Sequence, residues 1–464
     1  MFRKVLMLTA IVLVFAACQL QAAVTNSNWV GGSQGEWGNA NNWSPAIVPD
    51  NDGGNTFVVT IDSNSIGGGD VVVFLSSDYT INQLDCNGIV ELGKVGFDRI
   101  ELVLNPNGLT NYGELEIWRE GSQMVIDGNV TNYGSMEFEC DINGDVVNKS
   151  GATLDFWDHL NIYGNLYNEA GATLLFGDED ADIEGDGEGI SKIVNDGTII
   201  CQHDPGGPGE EDLFENRGSI ELFGGSCSAE ETFDNNSTGQ IEGWGAIRAW
   251  GTSGNQIIQN KGSIRASSGV LLLWSSKSIV NSGILSNEPI ASLRLKAAED
   301  VSNQGTIEVH ASGGVAFDRN LVNEPNGVIK LLGGTLAATT ITQSADANFA
   351  GFGSTTSDVI IDPNGLIELT GPTNIIGDVN IPTGATLEIS DGQTLITGHT
   401  TCDGTIHLIG GTVIFQGGCD CNDCNIIHEP GPDRNHFDIN ADGIEDFTDF
   451  ASFANTWLWQ ASWY

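Results

Sequence analysis

Residues 142–156 read Ile142-Asn-Gly-Asp-Val146-Val-Asn148-Lys-Ser-Gly151-Ala-Thr-Leu154-Asp-Phe156. Residues 162–176 repeat the phrase as Ile162-Tyr-Gly-Asn-Leu166-Tyr-Asn168-Glu-Ala-Gly171-Ala-Thr-Leu174-Leu-Phe176. The copy before them is shorter: Ile126-Asp-Gly-Asn-Val130-Thr-Asn132-Tyr-Gly134-Ser-Met136-Glu-Phe138. The common pattern is an apolar residue, a Gly-Asn or Gly-Asp turn, an apolar strand, Asn, then Gly and a second strand. Apolar residues alternate in that second strand, as in Ile220-Glu-Leu222 and Ile307-Glu-Val309. Alternation with period 2 marks a strand with one buried face.

The Asn position recurs at Asn111, Asn132, Asn148, Asn168, Asn195, Asn216, Asn235, Asn260, Asn281, Asn303 and Asn323. From 111 to 323 is 212 residues over ten intervals, or 212/10 ≈ 21 per repeat. Self-similarity at such a period is the signature of a repeat architecture. Asp362 reads as the same position before Pro363-Asn364-Gly365, and Cys86 and Cys402 as its outlying copies.

A strand of three to five residues cannot bury its face alone. Coiling the chain so that each rung rests on the last supplies backbone partners and a continuous core. The predicted fold is therefore all-β: a right-handed parallel β-helix of about 21 residues per rung. Gly suits turn positions with positive φ, and Asn tolerates the left-handed region and bonds locally. If the turns stack in register, the Asn side chains form a ladder. The competing architecture is an antiparallel sandwich with regular turns. A propeller needs about 40 residues per blade, twice the observed period.

The 464 residues contain 61 Gly and only 17% charged residues, yet 40% are hydrophobic in strand-length runs, which excludes a disordered chain. With 17 Lys+Arg against 62 Asp+Glu the formal charge is −45. Such a surface repels nucleic acid and anionic membranes, and takes polyanionic sugars only with help from Ca²⁺.

The chain opens like an export signal. Arg3 and Lys4 precede an apolar run from Val5 to Ala17, too short to favour a membrane span. Cleavage near Ala22 or Ala23 gives a signal peptide over 1–22 and a secreted or cell-surface protein. Phe15-Ala16-Ala17-Cys18 resembles a lipoprotein box, which would place an acyl anchor on Cys18. No transmembrane span is expected in the mature chain.

Residues 23–80 read as an N-terminal cap with the first strands, and 81–417 as the repeat domain. The cap contains Trp29-Val-Gly-Gly-Ser-Gln-Gly-Glu-Trp37 and Asn42-Trp43-Ser-Pro. This stretch resembles the Trp/Gly-rich start of autotransporter-type adhesin passengers, which implies an exported β-helix. A solenoid must cover its open end. Three Trp side chains can do so, or they can stack on a sugar.

Residues 418–433 read as a Cys-rich linker, with Cys419, Cys421, Cys424 and His428 spaced C-x-C-x₂-C-x₃-H. Export favours disulfides, although thiolates and imidazole also bind zinc.

The strongest chemical motif lies in 434–464. Asp438-Ile-Asn440-Ala-Asp442-Gly443-Ile444-Glu-Asp446-Phe-Thr-Asp449 fits a twelve-residue Ca²⁺ loop. Asp438, Asn440 and Asp442 offer side-chain oxygens and Ile444 a backbone carbonyl. Asp446 acts directly or through water, and Asp449 closes the loop. Phe447, Phe450, Ala451, Ala454, Trp457 and Leu458 then follow at helical spacing. Loop and helix resemble a type I dockerin, a Ca²⁺-dependent module that binds cohesins. The resemblance covers one loop where dockerins have two, and implies a cohesin-like partner. A cell-surface polysaccharide is the other expected partner.

The acidic run Asp178-Glu-Asp-Ala-Asp182-Ile-Glu184-Gly-Asp186-Gly-Glu188 interrupts the repeat. A glycosidase needs two carboxyls facing each other across a groove, and a contiguous run does not supply that. His159 and His203 are isolated, and no catalytic residue is assigned. The functional expectation is an exported structural or adhesive solenoid. Its alternative is a β-helix polysaccharide lyase or glycoside hydrolase, on fold analogy alone. Carboxylates converging with Arg or Lys in a groove along one sheet would favour the enzyme.

Overall fold

A computed structural model describes residues 24–429, except 52–54, 95–97, 120–122, 157–159, 178–181, 185–191, 203–206, 209–212, 252 and 422. They form two compact units: residues 24–307 with Gly313–Arg319, and Glu308–Ser312 with 320–429.

The first unit is a parallel β-solenoid with three faces. One coil runs through Val146–Asn148 on the first face, Thr153–Phe156 on the second and Leu160–Asn161 on the third. The next coil repeats this with Leu166–Asn168, Thr173–Phe176 and Asp182–Glu184. Each strand pairs in parallel with its counterpart one coil away, Asn148 opposite Asn168 and Leu154 opposite Leu174. Parallel pairing removes the sandwich alternative, since sequential strands in a sandwich pair antiparallel.

The period-2 pattern sets what faces inward. Leu154 and Phe156 are fully buried, while Thr153 and Asp155 alternate outward. Parallel register puts like on like, so Phe156 stacks on Phe176 at 4.5 Å between ring centroids and meets Phe138 edge-on at 5.4 Å. Phe214 and Phe233 stack in the same way at 4.7 Å.

The Asn residues form the expected ladder. Nine bonds of 2.7–3.0 Å join the side chains from Asn111 to Asn303, each Nδ2 donating to the Oδ1 of the next coil. Asn132 also ties its own turn to the next coil: its Oδ1 accepts from Gly134 N at 3.1 Å, and its Nδ2 donates to Thr153 O of the next coil at 2.8 Å. All of these side chains are buried. The reason for Asn differs from the expected one. Asn132 ends an extended strand, and the non-Gly residues with positive φ are others, such as Ile290 and Asn326. Asn serves here as a buried amide with one donor end and one acceptor end. Gly134 is required by close approach, because a Cβ there would strike the carbonyl oxygen of Gly113 one coil below.

At the N-terminal end Val24–Trp29 pairs in parallel with Thr56–Asp62, while Trp29 pairs antiparallel with Trp43. Trp29, Trp37 and Trp43 are at most 2% exposed and pack edge to face at 5.1 and 4.8 Å. Their indole N–H groups donate to Gly32, Pro49 and Trp37 carbonyls. Rings so enclosed cover the end of the core and cannot stack on a sugar.

The second unit is also a three-faced parallel solenoid. Thr386–Ile389, Gln393–Ile396 and Thr400–Cys402 make one coil, and Thr405–Ile409 begins the next. Asn323 donates to Gln343 Oε1 at 2.8 Å. Gln343 then faces Ile361, and Ile381 faces Cys402, so the column turns apolar. Asp362 therefore does not fill the Asn position; Ile361 does, fully buried, with Asp362 one residue beyond. Cys86 does hold that position in the first unit, opposite Asn111.

The stretch read as a linker carries strands instead. Cys419–Asp420 lies against Thr400–Cys402, and Asn425–Glu429 pairs with Thr405–Ile409. Ile426 and His428 stand opposite Ile406 and Leu408, the inward positions of the preceding coil, and all five residues of this strand are exposed. Cys402 is joined to Cys424 and Cys419 to Cys421.

Candidate binding faces

The outward positions of the second face in the first unit form a single column of side chains. Its first part is acidic. Glu91, Glu116, Glu137 and Asp155 occupy four consecutive coils, each opposite the next. Burial raises the Glu116 carboxyl above its usual range, and Glu91, Glu139 and Glu114 add to the rise. Glu137 is raised by burial too, then by Glu116 and Asp155. Coils lie about 4.8 Å apart, so in-register stacking forces like charges together.

The same column continues with Glu221, Glu242 and Arg265. Glu221 and Glu242 line a groove of about 350 Å³ together with Ser219, Phe223, Gln240 and Ser267. Phe223 of this lining and Trp244 opposite it on the adjacent coil are 50% and 44% exposed. Gly224 lets the Trp244 ring lie close, since a Cβ there would come 2.8 Å from the indole. Arg265 is hydrogen-bonded to Glu242, which raises its pKa further, and it binds Glu288 at 2.8 Å.

The groove thus meets one part of the requirement for a glycosidase, two carboxylates and a cation on one sheet. It does not assign a proton donor: Glu242 is engaged by Arg265, and Glu221 is the remaining acid. Sequence reading missed this trio. The signal was available, because Ile220-Glu, Ile241-Glu and Ile264-Arg occupy the same place after successive Asn residues.

Several basic residues pin neighbouring coils together. Lys149 meets Glu169 at 2.6 Å, Lys192 meets Glu215 at 2.6 Å, and Lys261 meets Asp234 at 2.7 Å. Each pair spans one coil and is partly exposed, so each contributes on the order of 0–1 kcal/mol.

The residues of the Ca²⁺ loop, Asp438, Asn440, Asp442, Ile444, Asp446 and Asp449, lie outside the described residues, as do Cys18, His159 and His203. Of the acidic run only Asp182–Glu184 is described, as a third-face strand. Among the described residues no three His, Cys, Asp or Glu side chains gather to hold a metal, and no helix is long and apolar enough to cross a membrane. Three comparisons, with family models, curated proteins and solved structures, give no match.

Proposed function

We propose that the chain is an exported, non-catalytic structural or adhesive scaffold that docks through a Ca²⁺-dependent C-terminal loop. The observation that supports the scaffold reading is the Asn ladder. Nine buried amide bonds in succession, flanked by stacked Phe and Leu, commit the interior of the first unit to holding coils in register. Such a body presents long flat faces at fixed spacing, which suits a spacer or a binding surface. Export rests on the residues of 1–22, and docking on the ligand spacing of 438–449. A cohesin-like protein is the partner that the dockerin resemblance supports.

A second reading has one specific observation behind it: the groove with Glu221 and Glu242, the latter bonded by Arg265 of the neighbouring coil. In that reading the chain cleaves a polysaccharide there. The test is release of reducing ends or unsaturated products across a polysaccharide panel. The scaffold reading expects none. Turnover that disappears in Glu221→Gln would replace it with the enzyme.

A further inference from the structure

Part of the third face of the first unit departs from the charge of the rest of the chain. Its outward positions in the later parts of Gln240–Ala249 and Ser263–Ser275, and in Ser292–Lys296 and Gly314–Phe317, hold Arg248, Arg294 and Lys296 and no carboxylate. Three cations against one carboxylate, Asp318 just after Phe317, stand over these four coils, in a chain with 62 Asp+Glu and 17 Lys+Arg. Arg248 faces Trp274, and Trp274 faces Lys296, so an indole stands between two cations on consecutive coils. Lys296 Nζ lies 5.1 Å from the Trp274 ring centroid. Trp250, 42% exposed, stacks beside Trp274 at 6.5 Å and 20°.

Arg294 is engaged by Asp318, at 3.1 Å. Arg248 and Lys296 make no ion pair among the described residues, and Arg248 Nε is buried without a hydrogen-bond partner. This contrasts with Lys149, Lys192 and Lys261, each held by a carboxylate one coil away. An exposed cation–π contact is weak. It does not by itself account for two indoles left at the surface beside two unneutralised cations.

We propose that this face binds an acidic polysaccharide, with a sugar ring stacked on Trp250 and its carboxylates or sulfates held by Arg248 and Lys296. The chemistry follows from the parts. An indole offers a flat apolar surface to the C–H face of a pyranose. A guanidinium takes a carboxylate or sulfate through a planar fork, and an ammonium adds a point charge. Arg248 and Lys296 are two coils apart, roughly 9–10 Å, comparable with the length of a disaccharide. The favoured ligand therefore carries an acidic group on at least every second sugar. Nucleic acid fits less well, because its phosphates are dense and need many cations. At physiological salt, charges are screened over about 8 Å. The carboxylates elsewhere then confine a polyanion to this face rather than barring it.

The proposal supplies the ligand of the adhesive scaffold, rests on that reading, and needs no Ca²⁺. The experiment is affinity electrophoresis and calorimetry on the full chain with hyaluronan, polygalacturonate and dextran sulfate. Neutral dextran and oligo(dT) are the controls. The acidic polysaccharides should retard the protein and dextran should not. Trp250→Ala and the double variant Arg248→Gln/Lys296→Gln should each weaken binding about tenfold without altering the melting curve. Lys296→Glu should do so more strongly. Failure of all three acidic polymers to bind would overturn the site, as would a double variant that binds like the parent. Tighter binding of oligo(dT) would reassign it to nucleic acid. None of these outcomes touches the scaffold reading, which is lost only if the polysaccharides are cleaved.

Discussion

Asn132 and Asn148 are 16 residues apart and joined by an amide bond of 3.0 Å, while Asn168 and Asn195 are 27 apart and joined by one of 2.8 Å. The coil varies in length by eleven residues (27 − 16) and the ladder does not notice. Variation is absorbed outside the first face, where each Asn side chain bonds the Asn of the next coil whatever the length between them.

A double role as donor and acceptor makes Asn132 costly to replace. Alanine removes the donor to Asn148 and Thr153 and the acceptor for Asn111 and Gly134, all in a buried setting. Each buried group left unsatisfied costs about 1–3 kcal/mol. Asn132→Ala should therefore lower stability by about 2–4 kcal/mol in denaturant unfolding. Asn132→Asp should cost more at neutral pH, since a carboxylate would face Asn148 Oδ1 and Thr153 O with no proton to offer. A shift below about 0.5 kcal/mol would show that the ladder is incidental.

The aromatic stack gives a second measure of register. Phe156 lies fully buried between Phe138 and Phe176. Phe156→Ala leaves a cavity that parallel neighbours cannot close without moving their own coils, and should cost about 3–5 kcal/mol. Hydrogen exchange should localise the loss to adjacent coils, because each repeat contacts only its neighbours. Uniform loss of protection across the unit would contradict that locality.

The acidic column should make stability depend on pH. Glu116 and Glu137 both have pKa values raised in the fold, chiefly by burial and then by each other's neighbours. A carboxyl with a raised folded pKa binds protons more readily folded than unfolded. Stability is then greater below the unfolded value near 4.5 and declines as pH rises through the raised folded values. Glu116→Gln or Glu137→Gln should raise the melting temperature at pH 7 and flatten its decline between pH 4 and 7. The gain should stay within about 1 kcal/mol, because these groups remain partly solvated. Added salt should narrow the difference. A lower melting temperature in either variant would refute the repulsion.

The fold was readable because its determinants are local and repeated. Asn, Gly and alternating apolar residues return at a spacing that only stacked rungs satisfy, and Ile220-Glu-Leu222 already declares which side is buried. Two features were not readable. The Asn column ends at Gln343 because Ile361 takes its place, and a Pro-Asn-Gly turn drew attention to Asp362 instead. The faces were hidden for another reason. Trp274 and Lys296 stand 22 residues apart and acquire meaning only when register sets them side by side.

The last prediction concerns the loop whose chemistry the sequence shows most directly. Four carboxylates from Asp438, Asp442, Asp446 and Asp449, with Asn440 and the Ile444 carbonyl, repel one another unless a hard cation gathers them. Ca²⁺ titrated into the full chain should bind with a heat absent from Asp438→Ala and Asp449→Ala. Binding energy at a small metal module is also folding energy, so chelation should open residues 438–458 to protease while leaving the Asn ladder protected. Mg²⁺ should substitute poorly, because it demands a near-ideal octahedral shell and gives up its waters reluctantly. Equal heats in the parent and both variants would reject these ligands, and with them the Ca²⁺-dependent docking.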